Sequence, residues 1–161
     1  MMVSLLNVSG TLARSRANGP GTRAVIWVQG CTIGCKGCFS PSTHQHDANS
    51  LIEPIVLAKW VSSIAGIEGV SVSGGEPFEQ SAAVAELLDC IREHNPDLSV
   101  FVYSGYTYDK LQSSKDESVQ NLLKQIDLLC AGPYAKSLAS ESLLWRGSSN
   151  QELVYLSDFY D

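Results

Sequence analysis

The sequence lacks any excess of positive charge. Its 161 residues include 11 Lys and Arg against 17 Asp and Glu, which gives a net charge of −6, and the basic residues form no run or stripe. Proteins that bind nucleic acid or anionic membranes usually carry such clusters of basic residues. We therefore expect neither nucleic acid nor membrane as a partner.

The sequence also lacks a long apolar segment. No run approaches the roughly 20 apolar residues that a helix needs to cross a bilayer. The first residues, MMVSLLNVSGTLARSR, are too short and too polar for a secretory signal, and their arginines follow the apolar part rather than precede it. We therefore expect a cytoplasmic protein, whose cysteines stay reduced.

Internal repeats, linkers and low-complexity segments are absent as well. With 44% hydrophobic and 17% charged residues, the composition is typical of a globular protein. A chain of this length can bury a core that needs no disulfide or metal to hold it together. We therefore expect a single domain over residues 1–161.

Cysteine is scarce, and three of the five cysteines stand close together. Cys31, Cys35 and Cys38 have the spacing C-x3-C-x2-C, which in a reducing compartment indicates metal binding or catalysis. Thiolate sites usually have four ligands, yet no fourth cysteine is nearby. Three thiolates on a cubane 4Fe–4S cluster would leave one iron open to a substrate. A zinc site completed by His44 or His46 is the alternative that the spacing leaves open.

The other two cysteines have no cysteine neighbour at ligand spacing. Cys90 falls at the end of a predicted helix, and Cys130 falls in an apolar predicted strand. A free cysteine in such surroundings usually packs as a small apolar residue. We expect that of both.

Short apolar runs alternate with segments of helical periodicity along the chain. The predicted strands are residues 23–29, 69–73, 98–104 and 126–130. Three helices are predicted. The first begins after a capping Ser50, the second contains residues 84–91 and ends at the Asn95–Pro96 pair, and the third covers about 115–125. This alternation predicts right-handed βαβ units and an α/β fold built on a parallel sheet.

Distinctive motifs follow three of the predicted strands: Cys31–Cys38, Gly74–Pro77 and Ser104–Tyr106. The carboxyl ends of parallel strands meet at one edge of a sheet, where ligands gather, so we expect the motifs to converge. In the second motif, GGEP, two glycines allow backbone groups to approach a ligand and a carboxylate follows at once. That pattern suits a small zwitterion whose ammonium group pairs with carbonyl oxygens or with Glu76.

Together these blocks resemble the radical S-adenosylmethionine (SAM) superfamily. GCTIGCKGCFSPSTH resembles its cluster loop (30–39), and VSGGEPFEQ resembles its SAM motif (74–77). Between about Asn18 and Gln151, the blocks NGPGTR, YSGYTYDKL, IDLLCAGPY and WRGSSNQ (145–151) are similar to one branch, the activating enzymes of glycyl radical enzymes. Within that branch, the chain is most similar to those that activate anaerobic ribonucleoside-triphosphate reductase. The resemblance implies a partial, open (β/α) barrel whose parallel sheet has about five strands.

The resemblance also implies the chemistry. Cys31, Cys35 and Cys38 would bind a 4Fe–4S cluster, and the open iron would bind the amino and carboxylate groups of SAM. One electron passed through the cluster would cleave SAM to methionine and a 5′-deoxyadenosyl radical, which would take a hydrogen atom from one glycine of a partner enzyme. No residue beyond the cluster and SAM would carry the catalysis.

The residues implied to contact SAM lie in the cluster loop or directly after strands. They are Gly37, Cys38 and Phe39 at the adenine, and Gly74, Gly75 and Glu76 at the amino group. Ser104 would reach the ribose or the methionine carboxylate, or else simply form a turn. Arg146 would pair with the SAM carboxylate or grip the partner's glycine loop, or its segment would only close the open side of the barrel. For Phe39, ordinary packing is the alternative.

The implied partner is a large glycyl radical enzyme, in particular anaerobic ribonucleoside-triphosphate reductase. Because only two cysteines lie outside the loop, the electron would come from a separate flavodoxin-like or ferredoxin-like protein. One alternative is a radical SAM enzyme that acts on another glycyl radical enzyme, a peptide or a small molecule. A second alternative is an iron–sulfur or zinc module without catalytic activity.

Overall fold

The chain folds around one mixed β-sheet. A computed structural model describes residues 4–31, 33 and 49–160. The strands within these ranges are β1 Leu6–Ser15, β2 Arg23–Val28, β3 Ser50–Ile52, β4 Gly69–Gly74, β5 Ser99–Ser104, β6 Leu128–Ala131 and β7 Glu152–Tyr155. The helices are α1 Pro54–Ser62, α2 Ser81–His94, α3 Tyr108–Gln112 and α4 Glu117–Leu123, with short 3₁₀ turns at Pro77–Gln80 and Lys136–Leu138. No helix in these ranges is both long and apolar enough to cross a membrane.

The centre of the sheet is parallel and its edges are antiparallel. The strand order is β3-β1-β2-β4-β5-β6-β7, in which β2, β4, β5 and β6 run parallel. These four strands confirm the α/β class and the four strands predicted from the sequence. The expected parallel sheet of about five strands is wrong, because β1 and β3 add antiparallel strands at one edge and β7 adds one at the other.

The predicted helix start at Ser50 is also wrong. Ser50 opens β3, in which Leu51 pairs with Asn7 of β1 and keeps 54% of its surface exposed. The helix begins only at Pro54, whose missing N–H costs nothing in the first turn. A polar residue before an apolar run can open a strand as well as a helix, so the local pattern could not decide between them.

Helices cover one face of the sheet. α1 packs against α2, and α2 packs against α4, so that their apolar sides and the facing strand residues form the main core. Phe101, Leu128 and Cys130 face the other way, and Trp145 and Tyr160 pack over them. Cys130 is therefore buried, as predicted, while Cys90 is only partly buried against the main core.

A buried arginine ties the C-terminal segment to the amino end of the parallel strands. Arg23 is fully buried, and its Nε donates to Ser71 Oγ at 2.8 Å while its Nη1 donates to Ser99 Oγ at 2.7 Å. The hydroxyl of Tyr160 also donates to Ser99 Oγ, at 2.6 Å. Burial lowers the pKa of Arg23, so these hydrogen bonds are what make a charged guanidinium tolerable there.

We expect Tyr160→Phe to lower the free energy of unfolding by about 1–2 kcal/mol, because it removes two hydrogen bonds, the one that Tyr160 donates to Ser99 and the one that it accepts from Arg23 Nη1 at 3.3 Å. Urea denaturation of the anaerobically prepared protein measures this change. Tyr155→Phe is the matched control, since the Tyr155 side chain is 57% exposed. Equal midpoints for the two variants would contradict a stabilising role of the Tyr160 hydroxyl.

Candidate functional site

A cavity of about 370 Å³ opens at the carboxyl edge of the parallel strands. Its volume falls within the range of small-ligand sites. It is lined by residues that follow three strands and by the C-terminal segment, among them Cys31, Ile33, Gly74, Gly75, Glu76, Ser104, Gly105, Trp145, Arg146 and Gln151. Each of the three motifs thus contributes to one cavity, through Cys31, Gly74–Glu76 and Ser104–Gly105, as expected, whereas Pro77 and Tyr106 do not line it.

Part of the predicted cluster loop is not described. Cys31 lies half-buried at the cavity wall. Cys35 and Cys38, together with Gly37 and Phe39, lie outside the described residues, as do the alternative zinc ligands His44 and His46. The cluster ligands and the adenine contacts therefore remain predictions.

The two glycines of the GGEP motif let β4 pass closely against the start of the cysteine loop. Gly74 has φ +102°, and Gly75 N donates to Val28 O at 2.8 Å. Glu76 N donates to Gly30 O at 2.7 Å. A Cβ on Gly75 would overlap the backbone of Gly30. Both N–H groups are therefore engaged by the chain itself and are not available to a ligand.

Glu76 is buried between the ends of two strands. The residue is 1% exposed, and its carboxylate accepts hydrogen bonds from Gly105 N at 2.7 Å, from the Ser104 hydroxyl at 2.8 Å and from Phe78 N at 3.1 Å. Burial raises the pKa of Glu76 to about 7, although the three hydrogen bonds oppose that rise.

Ser104 lies on the cavity wall and has protein partners on both sides. Its hydroxyl donates to Glu76 and accepts from Tyr106 N at 3.1 Å. The hydrogen bond from Tyr106 N closes a local turn, which is the alternative role considered for Ser104 from the sequence. Contact of Ser104 with SAM remains a prediction.

The WRGSSNQ segment is fastened to the chain that follows β6. The Gln151 side chain accepts from Gly147 N at 2.8 Å and donates to Gly132 O at 3.2 Å. Asn150 donates to Pro133 O at 2.8 Å. These side chains therefore hold the segment in place at the cavity mouth.

Arg146 is the side chain of this segment that supplies charge to the cavity. Its Nη1 donates to Gln151 O at 3.0 Å, whereas its Nε is buried without a hydrogen-bond partner. Among the described lining residues it is the only cation. A buried, unpaired donor is costly, so this geometry favours an anionic ligand such as a carboxylate.

Two aromatic residues that line the cavity were not predicted from the sequence. Trp27 and Tyr103 line it from β2 and β5, and the Tyr103 ring stacks on Phe101 with a centroid distance of 4.6 Å. Burial raises the pKa of Tyr103, so its hydroxyl stays protonated. Each residue stands next to last in its strand, and strand alternation could have placed both on the face away from the helices.

Comparison with known proteins identifies relatives over most of the chain. Residues 17–154 match the family model described as a 4Fe-4S single cluster domain. The anaerobic ribonucleoside-triphosphate reductase-activating protein of Vibrio cholerae is 36% identical over 140 residues, which are 83% of this chain and 88% of that protein. The protein of the same name from Escherichia coli K12 is 30% identical over 145 residues, 86% of this chain and 92% of that protein.

A solved structure also superposes on part of the chain. QueE from Escherichia coli aligns with a TM-score of 0.47 at 19% identity, over 66% of this chain and 55% of QueE.

Proposed function

Because the chain belongs to the family of anaerobic ribonucleoside-triphosphate reductase-activating proteins, we propose that it is a radical SAM activating enzyme. It cleaves SAM reductively and installs a glycyl radical on a partner, anaerobic ribonucleoside-triphosphate reductase. The observation that carries this proposal is the cavity that brings Cys31, Gly74–Glu76 and Arg146 together.

The resident cofactor is a 4Fe–4S cluster held by Cys31, Cys35 and Cys38. These thiolates would hold the cluster, which would supply one electron for the cleavage of SAM to methionine and a 5′-deoxyadenosyl radical, and that radical would take a hydrogen atom from the partner's glycine. The chain itself supplies the thiolates and a partly enclosed cavity that limits solvent access. The parallel centre of the sheet supports a partial, open barrel in one domain.

We place SAM in the cavity according to the charges of its walls. Arg146, with its unpaired Nε, binds the methionine carboxylate, and Gly74, Gly75 and Glu76 form the subsite of the amino group. Ser104 lies near the ribose or the carboxylate. Gly37, Cys38 and Phe39 lie against the adenine.

The electron comes from a separate flavodoxin-like or ferredoxin-like protein. Cys90 and Cys130 are unsuited to hold a second cluster, because they pack on opposite faces of the sheet. Burial also raises the pKa of both thiols, that of Cys130 to about 12. The three cysteines can bind a cluster only if they are not oxidised to disulfides, which supports a location in the reducing cytoplasm.

The test is reductive cleavage of SAM. Protein with an anaerobically reconstituted cluster, mixed with dithionite and SAM, is expected to form 5′-deoxyadenosine and methionine. With the partner reductase present, a glycyl radical signal is expected in the electron paramagnetic resonance (EPR) spectrum. A protein that holds its cluster but forms no 5′-deoxyadenosine would refute the proposal and leave a non-catalytic module.

We expect Arg146→Gln to raise the SAM dissociation constant about 10- to 100-fold, the usual effect of losing a hydrogen bond between charged groups. Arg146→Lys should recover only part of the loss, because an ammonium lacks the planar fork of the guanidinium. SAM-induced changes in the EPR spectrum of the reduced cluster provide the titration.

Arg14→Gln serves as the matched control, since Arg14 is exposed, does not line the cavity and donates from Nε to Ala65 O at 3.0 Å. Unchanged SAM binding in Arg146→Gln, together with a lower radical yield on the reductase, would assign Arg146 to the partner's loop instead.

A further inference from the structure

The Glu76 carboxylate connects the ends of two neighbouring strands. It belongs to the segment that leaves β4, yet two of its three hydrogen-bond donors, the Ser104 hydroxyl and Gly105 N, belong to the end of β5. The third donor, Phe78 N, lies in the 3₁₀ turn Pro77–Gln80 that follows Glu76 itself. The carboxylate therefore fixes the position of the β5 end relative to the β4 end.

The same contacts leave the carboxylate little capacity for a ligand. A carboxylate offers about four lone-pair directions, and the protein occupies three of them while leaving only 1% of the residue exposed. A direct ion pair with an ammonium group would have to use the one remaining lone-pair direction or break one of the three hydrogen bonds.

The end of β5 in turn contacts the cysteine loop. A Cβ built on Gly105 would lie 2.5 Å from Ile33 Cδ1 and 3.5 Å from Glu76 Oε1. Gly105 is thus enclosed between the carboxylate and a residue of the loop that carries Cys31. A shift of Gly105 would therefore change both the cavity wall and its contact with Ile33 of the cysteine loop.

We infer that Glu76 is a positioning residue, whose carboxylate fixes the β5 wall of the SAM cavity through Ser104 and Gly105 rather than serving as the counter-ion of the SAM amino group. The identity of the ligand rests on the proposed function.

Glu76→Gln is the main test, because it keeps the shape of the side chain but replaces one acceptor oxygen with an NH₂ group, which cannot accept from Phe78 N in one orientation or from Gly105 N in the other. Ser104→Ala removes one end of the same connection, and the double variant completes the cycle. Glu86→Gln, on the exposed side of α2, is the matched control. All variants are studied with the cluster loaded.

Two ligands separate positioning from direct contact. SAM carries the amino group, and 5′-methylthioadenosine, used as its competitor, does not. We expect Glu76→Gln and Ser104→Ala each to weaken both ligands by the same factor, about tenfold, with no further loss in the double variant. Hydrogen exchange in the absence of SAM should accelerate at Phe78 and around Gly105 in Glu76→Gln and stay unchanged in Glu86→Gln.

Weaker SAM binding with unchanged 5′-methylthioadenosine binding would identify a counter-ion and overturn the inference. Unchanged exchange in Glu76→Gln, or fully additive losses in the double variant, would overturn it as well. A wild-type protein that binds no SAM would instead refute the proposed function, whereas the exchange measurement would still report on the connection between the strands.

Discussion

We expect the loss of any one cysteine of the loop to abolish assembly of the 4Fe–4S cluster. The variants that test this are Cys31→Ala, Cys35→Ala and Cys38→Ala. Three thiolates are the minimum that leaves a single iron open, so the loss of any one removes a ligand that no nearby cysteine can replace. Iron and sulfide content and the visible absorbance of the anaerobically reconstituted protein measure the loss.

Cys90→Ala and Cys130→Ala are the matched controls and should keep a full cluster. Cys130 is 1% exposed in a cluster with Phe101 and Leu128, and Cys90 packs against the core on the opposite face. Their replacement costs some stability, so cluster content is normalised to folded protein. Loss of the cluster in either control would show that the ligand assignment is wrong.

Gly75→Ala has the second largest expected effect, a loss of roughly 100-fold in the rate of SAM cleavage, because displacements of about 1 Å at a reacting centre have costs of that order. The new Cβ would overlap the backbone of Gly30, which cannot move without shifting the adjacent Cys31. Single-turnover formation of 5′-deoxyadenosine measures the rate.

Gly10→Ala is the control for Gly75→Ala, since a Cβ on Gly10 meets no atom within 4 Å. Its rate should equal that of the wild type. If Gly75→Ala also cleaved SAM at the wild-type rate, close passage of β4 against the loop would not matter for catalysis.

The four parallel strands were predictable because each is a short, buried apolar run that ends at glycine or a polar turn. β1 and β7 were not predicted, because each strand is only partly buried and its pattern of apolar and polar residues is mixed. β1, LNVSGTLARS, alternates only in part and contains a glycine. Its identity as a strand depends on its pairing with β2 and β3.

The candidate site was predictable to a similar extent. Cysteine spacing and the GGEP motif are local, and the rule that ligands bind beyond the carboxyl ends of parallel strands placed them together. The position of Trp27 and Tyr103 at the cavity was not predictable, because an aromatic residue in a strand indicates only burial. Only the assembled sheet shows that these two residues border a cavity.

The sequence by itself determined the class of the fold and the close spacing of Cys31, Cys35 and Cys38, because these depend on residues a few positions apart, and the order of its strands predicted the edge at which the motifs meet. Only the tertiary structure decided which groups donate hydrogen bonds to Glu76 and that Arg146 Nε is buried without a partner. Glu76 meets Ser104 across 28 positions of chain, and Gln151 holds the Arg146 segment through Gly132, 19 positions away. Such pairings arise when strands and loops distant along the chain come together in the fold, so no local pattern can encode which polar group is satisfied and which is left for a ligand.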